Sequence, residues 1–128
     1  MQQIKLCLYK GTYDCESASS IEIKILGSLF ASDLGCPGTS LDNWIFDDEQ
    51  GIITSGNIIE LEKEDDYIYL NNMYDKRKIL IQLKISRRNL FSLLYDWQNK
   101  VCKKNPQPQE VIIKYENNIF TLETSDTL

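Results

Sequence analysis

The stretch that decides the fold runs from Lys78 to Lys103 and reads KILIQLKISRRNLFSLLYDWQNKVCK. Up to Ile85 apolar and polar residues alternate, which is the pattern of a β-strand with one face in a core. Beyond Ser86, a good helix N-cap, the apolar residues recur every three or four positions, as on an amphipathic helix. We therefore predict a strand over Lys78–Ile85 and a helix over Arg87–Lys103. Leu80 on the opposite face of the strand indicates a central place in its sheet.

On either side of this stretch the sequence predicts short antiparallel strands. Downstream, a hairpin is expected over residues 111–124, with Asn117-Asn118 as a two-residue turn. Upstream, the strands Asn57–Glu62 and Asp66–Asn71 are expected to be joined by the charged turn at residues 63–65.

The N-terminal part is less regular. Alternation of apolar residues predicts a strand around Ile4–Leu8 and a second strand over Ser20–Leu26, with Ile21, Ile23 and Ile25 pointing inward. The polar segment Gly11–Ser19 is expected to be a loop, and Ala31–Asn43 the longest irregular stretch.

Together these elements predict one α+β domain spanning residues 1–128. Its expected architecture is a mainly antiparallel β-sheet with one amphipathic helix, about Arg87–Lys103, packed on a face, and a C-terminal β-hairpin. A chain of 128 residues suits a single hydrophobic core.

The composition excludes several kinds of chemistry. The chain contains no histidine, which removes Ser-His-Asp and Cys-His catalysis and most transition-metal catalytic sites. Glu60 and Glu62 lie two apart on one strand and point the same way, whereas glycosidase carboxylates flank a cleft. We expect a protein without catalysis, metal or cofactor.

The four cysteines and the N-terminus indicate the compartment. Cys7, Cys15, Cys36 and Cys102 are irregularly spaced and form no CxxC pair, so we expect four reduced thiols and no zinc site. The first residues have no signal-peptide features, and no apolar run is long enough to span a membrane. These observations predict a cytoplasmic protein.

The charges are unevenly distributed behind the net charge of −5. An acidic block spans Asp42–Asp75, and a basic block spans Lys76–Lys104. In the acidic block, carboxylates lie beside aromatic residues, a combination in which carboxylates steer a basic partner and aromatic rings anchor it. The predicted partner-binding residues are Trp44, Asp47, Asp48, Glu49, Glu64, Asp65, Asp66, Tyr67 and Tyr69. The basic stretch Lys76–Arg88 is the alternative surface. A pI of about 4.7 argues against direct nucleic-acid binding.

The last third of the chain resembles a known kind of protein. Residues Leu83–Gln98 and Glu110–Glu123, which form a strand, a Trp-bearing amphipathic helix and a short hairpin, are similar to the C-terminal part of small bacterial immunity proteins. These proteins are encoded beside polymorphic or contact-dependent toxins. The region Gly11–Asn57 matches no pattern of this kind.

The resemblance implies an immunity protein that binds a cognate toxin domain and occludes its active site. Many such toxins are basic nucleases, and an acidic face would imitate their polyanionic substrate. The alternative is a small-molecule-binding or accessory interaction domain without catalysis, with a pocket lined by Phe91, Tyr95 and Trp97.

Overall fold

The computed structural model describes residues 1–34, 41–47, 51–54, 59–72 and 82–125. The strands in this part of the chain form two antiparallel sheets of four. The first sheet contains β1 (Gln2–Tyr9), β2 (Thr12–Ala18), β7 (Glu110–Glu116) and β8 (Ile119–Thr124), in the order β2-β1-β7-β8. The second sheet contains β3 (Gly51–Thr54), β4 (Ile59–Glu64), β5 (Tyr67–Asn72) and β6 (Gln82–Ser86), in chain order.

Three α-helices occur in the described residues. They are α1 (Ile21–Gly27), α2 (Leu41–Phe46) and α3 (Arg87–Asp96). The first and third continue as the π-helical segments Ser28–Leu34 and Trp97–Cys102. None of these helices is long and apolar enough to cross a membrane.

The structure confirms the α+β class, the helix that begins at Arg87 and the C-terminal hairpin. It corrects the expectation of one sheet to two. It also places β6 at the end of the second sheet rather than at its centre, with β5 as its neighbour. Residues 78–81 of the predicted strand lie outside the described residues.

Two hairpins turn on residues with positive φ. Asn117 and Asn118 have φ of 54° and 63°, and Lys10 and Gly11 have φ of 50° and 83°. Turns with two such residues match the twist of paired strands. The expectation of a loop over Gly11–Ser19 is therefore wrong, because the chain returns through the Lys10-Gly11 turn and pairs β2 with β1.

The segment predicted as a strand over Ser20–Leu26 is helix α1. The Ser20 hydroxyl accepts a hydrogen bond from the Ile23 amide at 3.2 Å and so caps the helix. The helix contacts β1 and β2 of the first sheet and β5 and β6 of the second, so its apolar residues are buried on two sides. Gly27 permits this close packing, because a Cβ there would lie 2.6 Å from Cδ1 of Ile4.

Two further expectations for the N-terminal part and the cysteines are wrong. The stretch Ala31–Asn43, expected to be irregular, is helical at both ends: Ala31–Leu34 is π-helical and Leu41–Asn43 belongs to α2. Cys102 is disulfide-bonded rather than reduced, whereas Cys7 and Cys15 are free.

One hydrophobic core joins both sheets and the helices. Leu6 and Ile113 of the first sheet and Leu61 and Ile68 of the second are fully buried in the same cluster. Helix α3 contacts β8 of the first sheet and β6 of the second, and its buried side chains complete the core: Leu90, Leu93 and Leu94, followed by Trp97 and Val101. Both sheets therefore bury one face and leave the other toward solvent.

The first prediction concerns the cap that starts α3. The Ser86 hydroxyl accepts the Asn89 amide at 3.1 Å, so Ser86→Ala should leave that amide without its partner and destabilise the protein by about 1 kcal/mol in urea unfolding. Ser92 is exposed within the same helix and makes a matched control. Ser92→Ala should be neutral or slightly stabilising, since alanine favours helices. Equal stability of the two variants would show that Ser86 does not cap the helix.

Candidate functional site

The solvent-facing side of the second sheet gathers most of its charge. Residues on this outer face come from alternate positions of three neighbouring strands, and the register places Glu62 beside Tyr69 and Tyr69 beside Lys84. A neighbouring row places Glu64 beside Tyr67. We define the outer face by Glu60, Glu62, Glu64, Tyr67, Tyr69, Asn71, Gln82 and Lys84, together with the adjoining turn of Asp65 and Asp66.

A polar ladder orders one row of this face. The Gln82 amide donates to the Asn71 side-chain oxygen at 2.8 Å, and the Asn71 amide donates to a Glu60 carboxylate oxygen at 3.4 Å. Side chains from three strands are thus linked across the sheet. This row stiffens the surface from which the carboxylates project.

The tyrosines form the aromatic part of the face. Tyr67 is 42% exposed and Tyr69 is half-buried. The Lys84 ammonium lies 4.1 Å from the centroid of the Tyr67 ring and 6.0 Å from that of Tyr69, within cation–π range. Ile68 between them is fully buried, so the two tyrosines share the outer face. Both tyrosine rings therefore lie on the outer face, beside the carboxylates of β4 and in contact range of Lys84.

The two sheets differ in how their outer charges are arranged. On the first sheet, Lys5 makes ion pairs with Glu16 at 3.4 Å and Glu110 at 3.3 Å, and Lys114 pairs with Glu123 at 3.1 Å. On the second sheet, no cation of the described residues forms an ion pair with Glu62 or Glu64. The first sheet's outer charges are thus largely neutralised, while the second sheet keeps a negative field.

The structure divides the predicted binding residues into three groups. Those on the outer face or its turn lie together, as expected: Glu64, Asp65, Asp66, Tyr67 and Tyr69. Trp44 and Asp47 are instead engaged with Lys63, on the opposite side of β4. Asp48 and Glu49 lie outside the described residues.

Lys63, expected in a charged turn, is a buried residue of β4. Its side chain has no exposed surface, and its ammonium pairs with the Asp47 carboxylate. The ammonium also donates to the Trp44 carbonyl at 2.6 Å and lies 4.4 Å from the centroid of the Trp44 ring. Trp44 and Asp47 therefore serve the fold, because a buried charge needs partners.

Arg87 reinforces the same junction. Its guanidinium donates to the carbonyls of Ile45 and Asp47, both at 3.2 Å, and its backbone amide donates to the Asp66 carbonyl at 3.0 Å. A cation is unfavourable in the first turn of its own helix, but here the cation lies at the negative C-terminal end of α2. Arg87 thereby brings the end of α2 close to the Asp65-Asp66 turn.

Sequence reasoning missed part of the outer face. The sequence singles out Glu60 and Glu62 only as a candidate catalytic pair, and Lys84 only as part of the alternative basic stretch Lys76–Arg88. Their signal was present in the alternation of β4 and β6, since residues at alternate positions share a face. The partners of each residue across the sheet depend on strand register, which only the folded chain shows.

The free thiols are poor nucleophiles. The Cys7 thiol donates to a Glu16 carboxylate oxygen at 2.7 Å, and this hydrogen bond with the carboxylate charge raises the pKa of Cys7 to about 11. The bond from Cys7, with the charge of Lys5, lowers the pKa of Glu16. Burial raises the pKa of Cys15. Both thiols therefore stay protonated near neutral pH.

The residues named for a small-molecule pocket do not meet around one cavity. Trp97 is buried in the core against Tyr13 and Phe30, Phe91 packs on Phe46, and Tyr95 is 61% exposed. A cavity of about 260 Å³ is lined by Trp97 with Tyr13, Phe30 and Gln107, and neither Phe91 nor Tyr95 lines it. Within the described residues no group of acidic or cysteine side chains is arranged to hold a metal ion.

The second prediction concerns the buried ion pair. Asp47→Ala should destabilise the protein by about 3 kcal/mol, because it leaves the buried Lys63 ammonium without its counter-ion. Lys63→Met should cost less, about 1 kcal/mol, since the Asp47 side chain is 43% exposed and can be hydrated. Urea unfolding of both variants at pH 7 measures the difference. A larger loss from Lys63→Met would contradict the proposed role of Asp47.

The third prediction concerns the pH dependence of Cys7. Its alkylation by iodoacetamide, followed by peptide mass mapping, should rise with pH toward a midpoint of about 11. Glu16→Gln removes the charge that opposes the thiolate, so the midpoint should fall and alkylation at pH 8 should be about tenfold faster or more. Asp14, which lies opposite Cys7 in the register, gives the control. Asp14→Asn should leave the midpoint unchanged, and the same shift in both variants would rule out a specific Cys7–Glu16 contact.

Comparisons of the chain with protein-family models, curated proteins and solved structures give no match. The similarity of the C-terminal third to immunity proteins therefore stays a prediction from the sequence. Inferences about function rest on the geometry of the described residues.

Proposed function

We propose that this chain is a binding module for a basic protein surface, and more specifically an immunity protein that occludes the active site of a nuclease-type toxin domain. The observation that carries the proposal is the outer face of the second sheet. It presents carboxylates from Glu60, Glu62 and Glu64 beside two tyrosines, with the acidic turn at one end. On the first sheet, three outer carboxylates are instead held in ion pairs with Lys5 and Lys114.

The two kinds of residue on this face suit two stages of binding. Exposed carboxylates act over several ångströms and raise the rate at which a basic partner arrives in the correct orientation. Tyrosines supply a large rigid contact area at little entropic cost, so they slow dissociation once they are covered. Tyr67 and Tyr69 lie among the carboxylates, so both stages would use the same surface.

A nuclease toxin is the basic partner that fits this surface best. Its active site binds a polyanion, and a group of carboxylates on one face of a sheet offers the negative charge that such a site attracts. Inhibition would follow from occlusion alone, with no bond made or broken. The raised pKa of Cys7 and of Cys15 argues against thiolate catalysis by either residue.

The site of action follows from the partner. An inhibitor of an intracellular nuclease works where the nuclease works, so we propose the cytoplasm. Disulfide bonds are rare there, and the disulfide of Cys102 is the feature that argues against this location.

The fourth prediction tests the acidic face against a cognate nuclease domain, identified by screening the products of neighbouring genes for binding to this chain. Asp65→Lys combined with Asp66→Lys should slow association about tenfold at low salt, because it reverses the steering field. The difference should shrink as the Debye length falls from ~10 Å at 0.1 M salt to ~3 Å at 1 M. Surface plasmon resonance at a series of salt concentrations measures both effects.

A matched control reverses the same number of charges elsewhere. Asp14 and Glu116 are exposed residues of the first sheet, and reversing both to lysine should change the association rate much less. Tyr67→Ala should instead speed dissociation and weaken inhibition of the nuclease, with association nearly unchanged. If reversal of the acidic turn and of the control pair slowed association equally, the outer face would not be the binding site.

A further inference from the structure

The backbone groups at the edge of the second sheet have a defined direction. In an antiparallel pair, successive residues of a strand point their backbone N–H and C=O groups alternately toward and away from the neighbouring strand. Ser86 lies opposite Tyr67, so Arg87 and Asp66 are the next pair across the two strands. The Arg87 amide donates to the Asp66 carbonyl, which makes this a hydrogen-bonded pair. Leu83 and Ile85 therefore point toward β5, and the backbone groups of Gln82 and Lys84 point away from it.

The corresponding edge of the first sheet is closed by α3. The two-residue turn after Glu116 directs the backbone groups of Phe120 and Leu122 away from β7. The Phe120 amide donates to the Asn89 side-chain oxygen at 3.3 Å, and the Leu122 carbonyl accepts from the Lys100 ammonium at 3.4 Å. Side chains of α3 and its π-helical continuation thus bond to one outward backbone group of Phe120 and one of Leu122.

No such contact to β6 occurs within the ranges that the structure describes. Among the described residues, no side chain or backbone group forms a hydrogen bond with the outward backbone groups of Lys84. Beside this edge lies a groove made of two neighbouring cavities, of about 250 and 280 Å³, which share Lys84, Tyr115 and Phe120. Glu22 and Ile23 of α1 border one end and Asn89 and Asn118 the other.

We propose that β6 accepts an extended segment of a partner protein as an additional strand, with an acidic residue of that segment opposite Lys84. Backbone hydrogen bonds to Gln82 and Lys84 would supply affinity, as they do when a strand is added to an open sheet edge. Apolar side chains of the segment would enter the groove against Phe120 and Ile23. This site is the edge of the sheet rather than its acidic face, so it goes beyond the proposed function and does not depend on it.

The groove and its charge favour a single partner strand over a second copy of this chain. Lys84 is the middle residue of β6, so two copies pairing through this strand about its centre would place Lys84 opposite Lys84. Like charges directly opposite are destabilising, whereas an opposite charge there is favourable. The first sheet and α1 also border the groove on its far side, which leaves room for one extended segment.

The experiment uses hydrogen exchange followed by NMR and two blocked seven-residue peptides of alternating valine and threonine. One has a central glutamate and the other a central lysine. In the free protein the Leu83 and Ile85 amides should exchange slowly and the Lys84 amide quickly. The glutamate peptide at millimolar concentration should slow the Lys84 amide by about tenfold or more.

A charge swap provides the matched control. In Lys84→Glu the preference should reverse, with the lysine peptide about tenfold better than the glutamate peptide, because the cross-strand pair changes from repulsion to attraction. The fully N-methylated glutamate peptide, which cannot donate backbone hydrogen bonds, should have no effect. The Asp65→Lys and Asp66→Lys variant should keep the response at Lys84, which separates this site from the acidic face.

Two outcomes would overturn the proposal. One is that neither peptide slows exchange of the amide of residue 84, either in the unmodified protein or in the Lys84→Glu variant. The other is that the Lys84 amide becomes protected as the concentration of the protein rises without peptide, which would assign the edge to a second copy of the chain.

Discussion

The buried ammonium of Lys63 is the constraint on which the arrangement around the second sheet depends. An unpaired charge in a protein interior costs several kcal/mol, so the chain must bring an anion and hydrogen-bond acceptors to it. Asp47 and the Trp44 carbonyl meet that demand, and both lie at the end of α2. A helix of six residues is not stable alone, so these contacts place α2 against β4. Arg87 adds two further bonds to the same helix end and ties it to α3.

This constraint divides the acidic residues into two populations. Asp47 lies on the inner side of β4 and has a structural partner, whereas the carboxylates of the outer face project from the opposite side of the same sheet. The alternation of side chains along a strand enforces the separation, because Glu62 and Lys63 must point to opposite faces. A count of charge along the chain cannot distinguish the two populations. The negative field of the outer face comes from the carboxylates that do not serve as partners of Lys63.

Local signals in the sequence were sufficient to predict an element where they fitted only one type of structure. The change from strand to helix periodicity at Ser86 and the Asn117-Asn118 turn are examples. Local signals failed at Ser20–Leu26, because Ile21, Ile23 and Ile25 satisfy a strand while Ile23, Leu26 and Phe30 satisfy a helix equally well. Burial between two sheets decided for the helix, and that is a tertiary effect. Lys63 was misplaced for a similar reason, since its partner Asp47 is distant in sequence. The sequence predicted part of the outer face, including Tyr67 and Tyr69. The remaining residues of the face are placed there by the register between strands, which the sequence does not show.

In the part of the chain that the structure describes, the edges of the two sheets differ in their relation to α3. Ser86 is both the last residue of the strand and the N-cap of the helix, so no loop separates the two elements. Helix α3 begins there and packs against both β6 and β8, so its side chains reach the edge of the other sheet. Asn89 and Lys100 consequently bond to β8. Within the described residues the edge at Lys84 has no such partner, which is the condition for a strand to be added there.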